Sequence, residues 1–212
     1  MMKINEIFYS IQGESGYIGY PTVFVRTSGC HLRCTYCDTQ YAYHEGQKQS
    51  VDDILTEIQK FPAQYICITG GEPLLQNEVY SLMKKLCDLN YKVSLETSGD
   101  IDCKDVDVRV KKVIDIKTPD SGAFGAFDEK NLSYANVNTE FKFIICSKKD
   151  LIWAEEFSKT HSLFEKSCVL YSPSYKIVDE QWLASQILEM RSLARFQFQL
   201  HKYLWPSTQR GV

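Results

Sequence analysis

Cys30, Cys34 and Cys37 share one short stretch, Cys30-His31-Leu32-Arg33-Cys34-Thr35-Tyr36-Cys37, spaced C-x3-C-x2-C and opened by Ser28-Gly29. Thiols this close, in a loop-like segment, can converge as thiolates on one soft metal centre. A tetrahedral zinc site or a fully ligated iron–sulfur cluster asks for a fourth ligand, yet the next cysteine, Cys67, lies in an apolar, strand-like run. A cubane cluster held by three cysteines keeps one iron free to bind something else, and the spacing points to that open iron. Structural zinc with a remote fourth ligand is the alternative.

The elements that must hold this loop can be read from apolar patterning. Short apolar strands are expected at 4–11, 22–27, 65–69, 92–96, 110–116, 140–146, 168–171 and 195–200, with amphipathic helices between them. Ser50-Val51-Asp52-Asp53 resembles a helix N-cap with acids in the first turn. Val79, Leu82, Met83 and Leu86 recur at i, i+3, i+4 and i+7, a helix with one buried face. Trp182, Ala184, Ile187, Leu188 and Leu193 mark a last, less regular helix. Strand–helix alternation predicts a parallel sheet with right-handed crossovers. The helical signal is weak over 97–139, so some crossovers there are expected to be loops. Several strands end in polar residues where a motif begins: Thr69 before Gly70-Gly71-Glu72-Pro73, Glu96-Thr97-Ser98-Gly99, Asp115-Ile116-Lys117 and Tyr171-Ser172. Parallel sheets gather their chemistry at strand C-terminal ends, so these patches should face one cavity.

Bulk composition narrows the function classes. The 212 residues suit one domain, 1–212, long enough to bury a sizeable core. A net charge of -3 and a pI near 5.8 leave no basic footprint for nucleic acid. There is no apolar run of the ~18 residues that span a bilayer, and Met1-Met2-Lys3-Ile4-Asn5-Glu6 lacks a signal-peptide apolar region. A cytoplasmic protein with reduced thiols is the expectation. Of the eight cysteines, Cys67, Cys146 and Cys168 sit in strand-like runs and read as small core residues; Cys87 falls in a helical segment and Cys103 in a polar loop.

The C-x3-C-x2-C loop, with Tyr36 before its last cysteine and Gly70-Gly71-Glu72-Pro73 about 35 residues on, resembles the radical S-adenosylmethionine (SAM) superfamily. That resemblance implies a partial barrel of the (β/α)6 type, some of its crossover helices reduced to loops. It also implies a [4Fe-4S] cluster on Cys30, Cys34 and Cys37 whose open iron is chelated by SAM. Phe8-Tyr9-Ser10-Ile11-Gln12-Gly13-Glu14-Ser15-Gly16 and Phe24-Val25-Arg26-Thr27-Ser28-Gly29-Cys30 narrow the likeness, together with Cys37-Asp38-Thr39 and Gln199-Leu200-His201-Lys202-Tyr203-Leu204-Trp205. They resemble the 7-carboxy-7-deazaguanine synthase family, over essentially the whole chain.

The family resemblance implies that a 5′-deoxyadenosyl radical takes a hydrogen from C6 of 6-carboxy-5,6,7,8-tetrahydropterin. The ring then contracts and ammonia leaves, on the route to queuosine precursors, with SAM regenerated. It implies SAM contacts at Tyr36, Cys37, Asp38, Gly71, Asp115, Ile116 and Lys117, and Mg²⁺ at Thr39, a hard oxygen suited to that ion. Ile11, Gln12, Gly13, Glu14, Arg26 and Thr69 would bind the pterin. A Gln amide, a Glu carboxylate and a close Gly backbone can read its edge, and a guanidinium fork can take its carboxylate. An external one-electron reductant such as flavodoxin or ferredoxin and a homodimer belong to the same expectation; nucleic acid and membrane do not. Asp115-Ile116-Lys117 departs from the Ser-Pro-Lys of some members, Ser98 stands where Asn is common, and Tyr171-Ser172-Pro173 falls in a variable region near the adenine.

Each residue also has a plainer explanation. Gln12-Gly13-Glu14 can be a turn, Arg26 a structural ion-pair partner and Thr39 a cap. Glu72 is expected to be structural or a cofactor contact, and His31 and His44 to be surface or packing residues. The stripe Arg195, Gln197 and Gln199 faces either the cavity or solvent. A glycyl-radical-enzyme activase, which shares the cluster and Gly-Gly-Glu-Pro motifs, is the competing enzyme; an electron carrier or zinc module is the non-enzyme alternative.

Overall fold

The computed structural model describes residues 1–206 and 209–212. Among them, nine strands form one sheet: β1 (Met2–Ile11), β2 (Pro21–Thr27), β3 (Gln47–Gln49), β4 (Tyr65–Gly70), β5 (Lys92–Thr97), β6 (Lys111–Asp115), β7 (Thr139–Ile145), β8 (Cys168–Pro173) and β9 (Arg195–Phe196). Their order is β3-β1-β2-β4-β5-β6-β7-β8-β9. From β2 to β9 every pairing is parallel, the open sheet of a partial barrel. The expectation of a wholly parallel sheet fails at one edge, where β1 runs antiparallel to both β2 and β3. The segment 12–20 between β1 and β2 is too short for a crossover, so these strands can only return as a hairpin.

Helices α1 (Val51–Ile58), α2 (Glu78–Asp88), α3 (Lys148–Thr160), α4 (Leu163–Lys166) and α5 (Glu180–Glu189) carry the crossovers, and α6 (His201–Leu204) follows β9. Ser50 begins α1 with a reciprocal capping box to Asp53. The predicted stripe of α2, Val79, Leu82, Met83 and Leu86, is wholly buried. The crossovers from β5 to β6 and from β6 to β7 contain only 3-10 turns, as the weak signal over 97–139 implied. Buried Asn131 substitutes for a helix there. It accepts from the Cys103 amide at 2.9 Å and donates to the carbonyls of Gly99 and Ile101 at 2.8 and 3.0 Å.

Three local expectations are corrected. The last strand ends at Phe196, not at 200, because the Leu200 amide turns away to the Gly13 carbonyl at 2.9 Å. Leu188 is exposed on α5 and Leu193 lies beyond it, so Leu183 and Ile187 form the buried face. Helix α3 has no clean apolar period because its buried face includes Asp150, Glu155 and Ser158. Asp150 accepts from the amides of Asp120 and Cys146, and Glu155 from the Tyr171 hydroxyl, so the two buried carboxylates are satisfied, while the Ser158 hydroxyl has no partner among the described residues.

Alternation along the strands decides what faces where. Val23, Val25, Ile66, Ile68, Val93, Leu95, Ile114, Phe141, Phe143 and Ile145 join the main apolar core with the helices. The intervening residues turn to the other face: Phe24 and Arg26 on β2, Thr69 on β4, Glu96 on β5, Val113 and Asp115 on β6, Lys142 and Ile144 on β7. Phe8, Phe24 and Cys67 form a second apolar cluster at that face, with the Phe8 and Phe24 rings stacked 4.9 Å apart. Truncating the fully buried Leu82 to Ala is expected to cost about 2–5 kcal/mol in urea unfolding, against about 1 kcal/mol for Ser50→Ala at the α1 cap. Similar losses for the two would show that α2 is not packed as described.

Candidate active site

The polar face of the sheet opens into a cavity of about 580 Å³, within the range of small-molecule sites. Cys30, Cys34 and Cys37 line it. So do Ile11, Gln12, Gly13, Glu14, Arg26, Tyr36, Asp38, Thr39, Thr69, Gly71, Asp115 and Lys117. Of the predicted set, only Ile116 is absent from the wall. Strand alternation sends its side chain into the apolar core, leaving its amide bonded to the Lys142 carbonyl at 2.8 Å.

The cysteine loop is pinned by backbone contacts. The Gly29 amide donates to the Ala42 carbonyl at 2.9 Å, and the Thr35 amide to the Ser121 carbonyl at 2.8 Å. Arg33 donates to the Cys30 and Leu32 carbonyls at 2.9 and 2.7 Å and stacks its guanidinium over Tyr43. From below, the Gly70-Gly71-Glu72 turn presses against it, with the Glu72 amide donating to the Gly29 carbonyl at 2.8 Å. A Cβ on Gly71 would collide with that carbonyl and come 3.0 Å from the Cys30 Cβ, so the missing side chain serves loop packing as well as access to the cavity. Burial pushes the Cys30 and Cys34 thiols up, with the Lys117 ammonium opposing this at Cys34. The donor set is soft and shares one cavity, which fits an iron–sulfide cluster.

Glu72 does not reach into the cavity. Only 1% exposed, it accepts from the Thr97 hydroxyl at 2.8 Å, the Ser98 hydroxyl and amide at 2.6 and 2.8 Å, and the Leu74 amide at 3.1 Å. Its carboxylate fastens the glycine turn to the end of β5. Ser98 passes the connection to Asp100, which pairs with His31 of the cysteine loop.

The segment after β1 enters the cavity from the side. Gly13 lies so close to His201 that a Cβ would strike its ring. Gln12 donates to Glu96 at 3.4 Å, and Thr69 donates to the other Glu96 oxygen at 3.0 Å. Glu14 is 7% exposed; its oxygens accept from Lys142 at 2.5 Å and Gln199 at 2.9 Å. Burial alone would raise the Glu14 pKa, but the Lys142 ammonium and His201 outweigh it and hold it at about 2. Lys142 also lies 3.5 Å from Asp115, which Lys117 meets at 3.1 Å.

Arg26 realises its structural alternative, since its Nε donates to Glu6 at 2.8 Å while the guanidinium lies over Phe8. It nonetheless lines the cavity. Asp38 forms an ion pair with Lys202 at 2.9 Å, with His201 at 3.9 Å. Burial opposes its ionisation, yet those two partners hold its carboxyl well below the usual range. The Thr39 hydroxyl makes no capping bond and lies 3.8 Å from the Cys37 sulfur. The polar stripe splits: Arg195 is exposed on β9, Gln197 is buried and exchanges two hydrogen bonds with the Ser15 backbone at 2.7 and 2.9 Å, and Gln199 lines the cavity. Buried polar atoms on the cavity wall still lack a protein partner among the described residues: the Tyr36 hydroxyl, Asp115 Oδ1 and the Ser174 hydroxyl. A polyhydroxylated, charged cofactor such as SAM fits such a wall.

Lys142 and Lys202 were not among the residues expected at the site; Glu96 lines the cavity as its strand-end patch implied, and Gln199, left open between cavity and solvent, lines it too. The sequence signal for Lys142 and Glu96 was a charged residue at an inward position of an otherwise apolar strand, as in Glu140-Phe141-Lys142-Phe143. Gln199 and Lys202 come from a segment whose placement depends on a long-range contact with residues 13–14 and 38.

Residues 24–117 match the Radical SAM superfamily. The chain is 40% identical to a 7-carboxy-7-deazaguanine synthase of Koribacter versatilis over all of both chains. It is also 40% identical to the one from Chlorobaculum tepidum, over all of this chain and 97% of that one. Its structure is similar to the crystal structure of QueE from Escherichia coli, with a TM-score of 0.80 at 23% identity over 94% of each chain, a likeness of fold.

Gly71→Ala is expected to displace the cysteine loop while sparing the sheet. Iron bound after anaerobic reconstitution should fall several-fold, with the circular dichroism spectrum unchanged. Full iron content in the variant would show that the Gly71–Gly29 contact does not position the thiols.

Proposed function

The chain belongs to the 7-carboxy-7-deazaguanine synthase family of the radical SAM superfamily, and from that premise we propose how its own side chains carry the reaction. It contracts the ring of 6-carboxy-5,6,7,8-tetrahydropterin to 7-carboxy-7-deazaguanine and releases ammonia. The observation that carries the proposal is the meeting of Gln12, Glu14 and Arg26 with the three thiols in one cavity. A glycyl-radical-enzyme activase has no need of that set, and the full-length relatives carry the synthase name.

A reduced [4Fe-4S] cluster with SAM, when bound, supplies the radical that takes hydrogen from the substrate carbon. Cys30, Cys34 and Cys37 hold the cluster, and an external one-electron donor of the flavodoxin or ferredoxin class reduces it. Tyr36, Cys37, Asp38, Gly71, Asp115, Lys117 and the Ile116 backbone hold SAM, with Asp115 Oδ1 the open acceptor for a hydroxyl donor. Gln12 and Glu14 read the donors and acceptors of the pterin ring, while the Ile11 and Gly13 backbones and Thr69 shape its seat. Arg26, fixed through Nε by Glu6, keeps its terminal nitrogens for the substrate carboxylate. Thr39 gives one hard oxygen to Mg²⁺, the substrate and water supplying the rest. The chain mainly orients the reactants and excludes side reactions.

Reconstituted protein should hold about four irons and four sulfides per chain. With SAM, reductant and the carboxytetrahydropterin it should form a deazapurine detectable by mass; no such product would overturn the assignment. Arg26→Ala should lose about 2–4 kcal/mol of pterin affinity while still binding SAM. Equal weakening of both ligands would leave Arg26 a structural ion-pair partner only. Thr39→Ala should blunt the response of turnover to Mg²⁺ and Thr39→Ser keep it; an unchanged response in Thr39→Ala would remove Thr39 from the metal site.

A further inference from the structure

The cavity contains one buried cation for which the assignments above give no task. Lys142 sits on β7 with 6% of its surface exposed, donating to Glu14 at 2.5 Å and lying 3.5 Å from Asp115. The two carboxylates reach it from different elements. Glu14 belongs to the loop after β1, whereas Asp115 ends β6 and is the register neighbour of Lys142 in the sheet. An isolated ammonium at such a place would be strongly disfavoured, so the position is tolerable only because both carboxylates are there. The dependence is mutual. Without Lys142, Glu14 would be a buried carboxylate left, among the described residues, with Gln199 and His201 as polar neighbours, while Asp115 would keep Lys117.

We propose that Lys142 is a positioning residue for substrate recognition: its ammonium fixes the Glu14 carboxylate in place as an anionic acceptor for N–H donors on the pterin edge. This rests on the pterin assignment made above. Lys142 acts through Glu14, which itself lines the cavity. The Glu14 amide, bonded to the Gln12 side-chain oxygen at 3.2 Å, sets the neighbouring reader relative to it. Gln199, on Glu14 Oε1, is in turn held by Lys202 at 2.7 Å, so the carboxylate is clamped on both oxygens. The charged and titratable groups facing Glu14 are Lys142 of β7 and His201 of α6, with Asp115 of β6 and Glu96 of β5 facing it across the Lys142 ammonium.

The consequence that separates positioning from mere stability is a pH profile. With Lys142 present, Glu14 stays ionised throughout the working range, and pterin affinity should not depend on its protonation. With Lys142→Met, burial dominates and the Glu14 pKa rises. A protonated Glu14 donates where it should accept, so each pH unit below the raised value weakens pterin binding by up to about tenfold. Affinity should therefore be lost toward acid in Lys142→Met and stay flat in the parent protein. Lys142→Arg keeps the charge and should keep the flat profile.

The measurement is equilibrium binding of the carboxytetrahydropterin to the reconstituted, SAM-loaded protein between about pH 5.5 and 8. SAM affinity and iron content are recorded alongside. Lys142→Met should weaken the pterin at least about tenfold at the acidic end, with SAM affinity and iron content close to the parent. Should Lys142→Met fail to fold, the doubly neutral Glu14→Gln/Lys142→Met protein removes both buried charges together; it should bind the pterin weakly and without pH dependence. A pH-independent loss in Lys142→Met, an equal loss of SAM, an acidic limb in Lys142→Arg, or an acidic limb in the double variant would overturn the proposal. Failure of the parent protein to bind the pterin at all would instead overturn the substrate assignment.

Discussion

The central parallel strands, β4 to β8, are covered on both faces, and in this sheet only the helix-side face is mainly apolar. That face carries Ile66, Ile68, Val93, Leu95, Phe141 and Phe143. The lumen face holds Arg26, Asp115 and Lys142, whose charges need opposite ones when buried, and Glu96, which accepts from Gln12 and Thr69. The resulting pairs, Arg26 with Glu6, Lys117 with Asp115, and Lys142 with Glu14, are thus a condition for forming the lumen at all. They also distribute fixed dipoles around the space where a substrate must lie.

The loops obey the same constraint by closing on one another. The hairpin loop 12–20 would leave the buried Ser15 amide and the part-buried Gly16 amide without partners. Gln197 takes the first at 2.7 Å and Glu140 the second at 2.8 Å. The C-terminal segment then spans from Glu14, through Gln199 and Lys202, to Asp38, which follows Cys37. Beneath the cysteines, Glu72 joins the glycine turn to β5 and onward through Ser98 and Asp100 to His31. The cysteine loop is thereby connected to the loop after β1 from one side and to the sheet from the other. Neither connection involves a thiol as a hydrogen-bond partner, which leaves Cys30, Cys34 and Cys37 available as ligands.

Much of this was legible in the primary structure because local rules govern it. Thiol spacing, the Gly-Gly-Glu-Pro turn, the capping box at Ser50 and the i, i+3, i+4, i+7 stripe of α2 are short-range signals, and each has a direct structural counterpart. The hairpin at β1–β2 could have been read from the length of 12–20 alone. Helix α3 was hidden because buried Asp150, Glu155 and Ser158 break the apolar period; the two carboxylates are satisfied by Cys146, Asp120 and Tyr171, remote or non-helical groups. Lys142 was passed over for a similar reason. A charge between two phenylalanines in a strand has no meaning until Glu14, 128 residues away, is brought to it.

Buried ion pairs contribute little net stability and can cost some, compared with apolar replacements of the same volume. A lumen filled with leucine and valine would make a firmer barrel. Its retention as charge is explained by what radical chemistry asks of a protein. The reactive step draws on cofactors, so the chain has to fix positions and protonation states before it begins. A carboxylate held ionised by an adjacent ammonium, itself held by a second carboxylate, neither reorganises nor exchanges protons over the working pH range. The second carboxylate, Asp115, takes both Lys117 and Lys142. Asp115 thus supplies the counter-charge that lets Lys142 be buried beside Glu14, so that the end of β6 and the loop after β1 are joined through one ammonium.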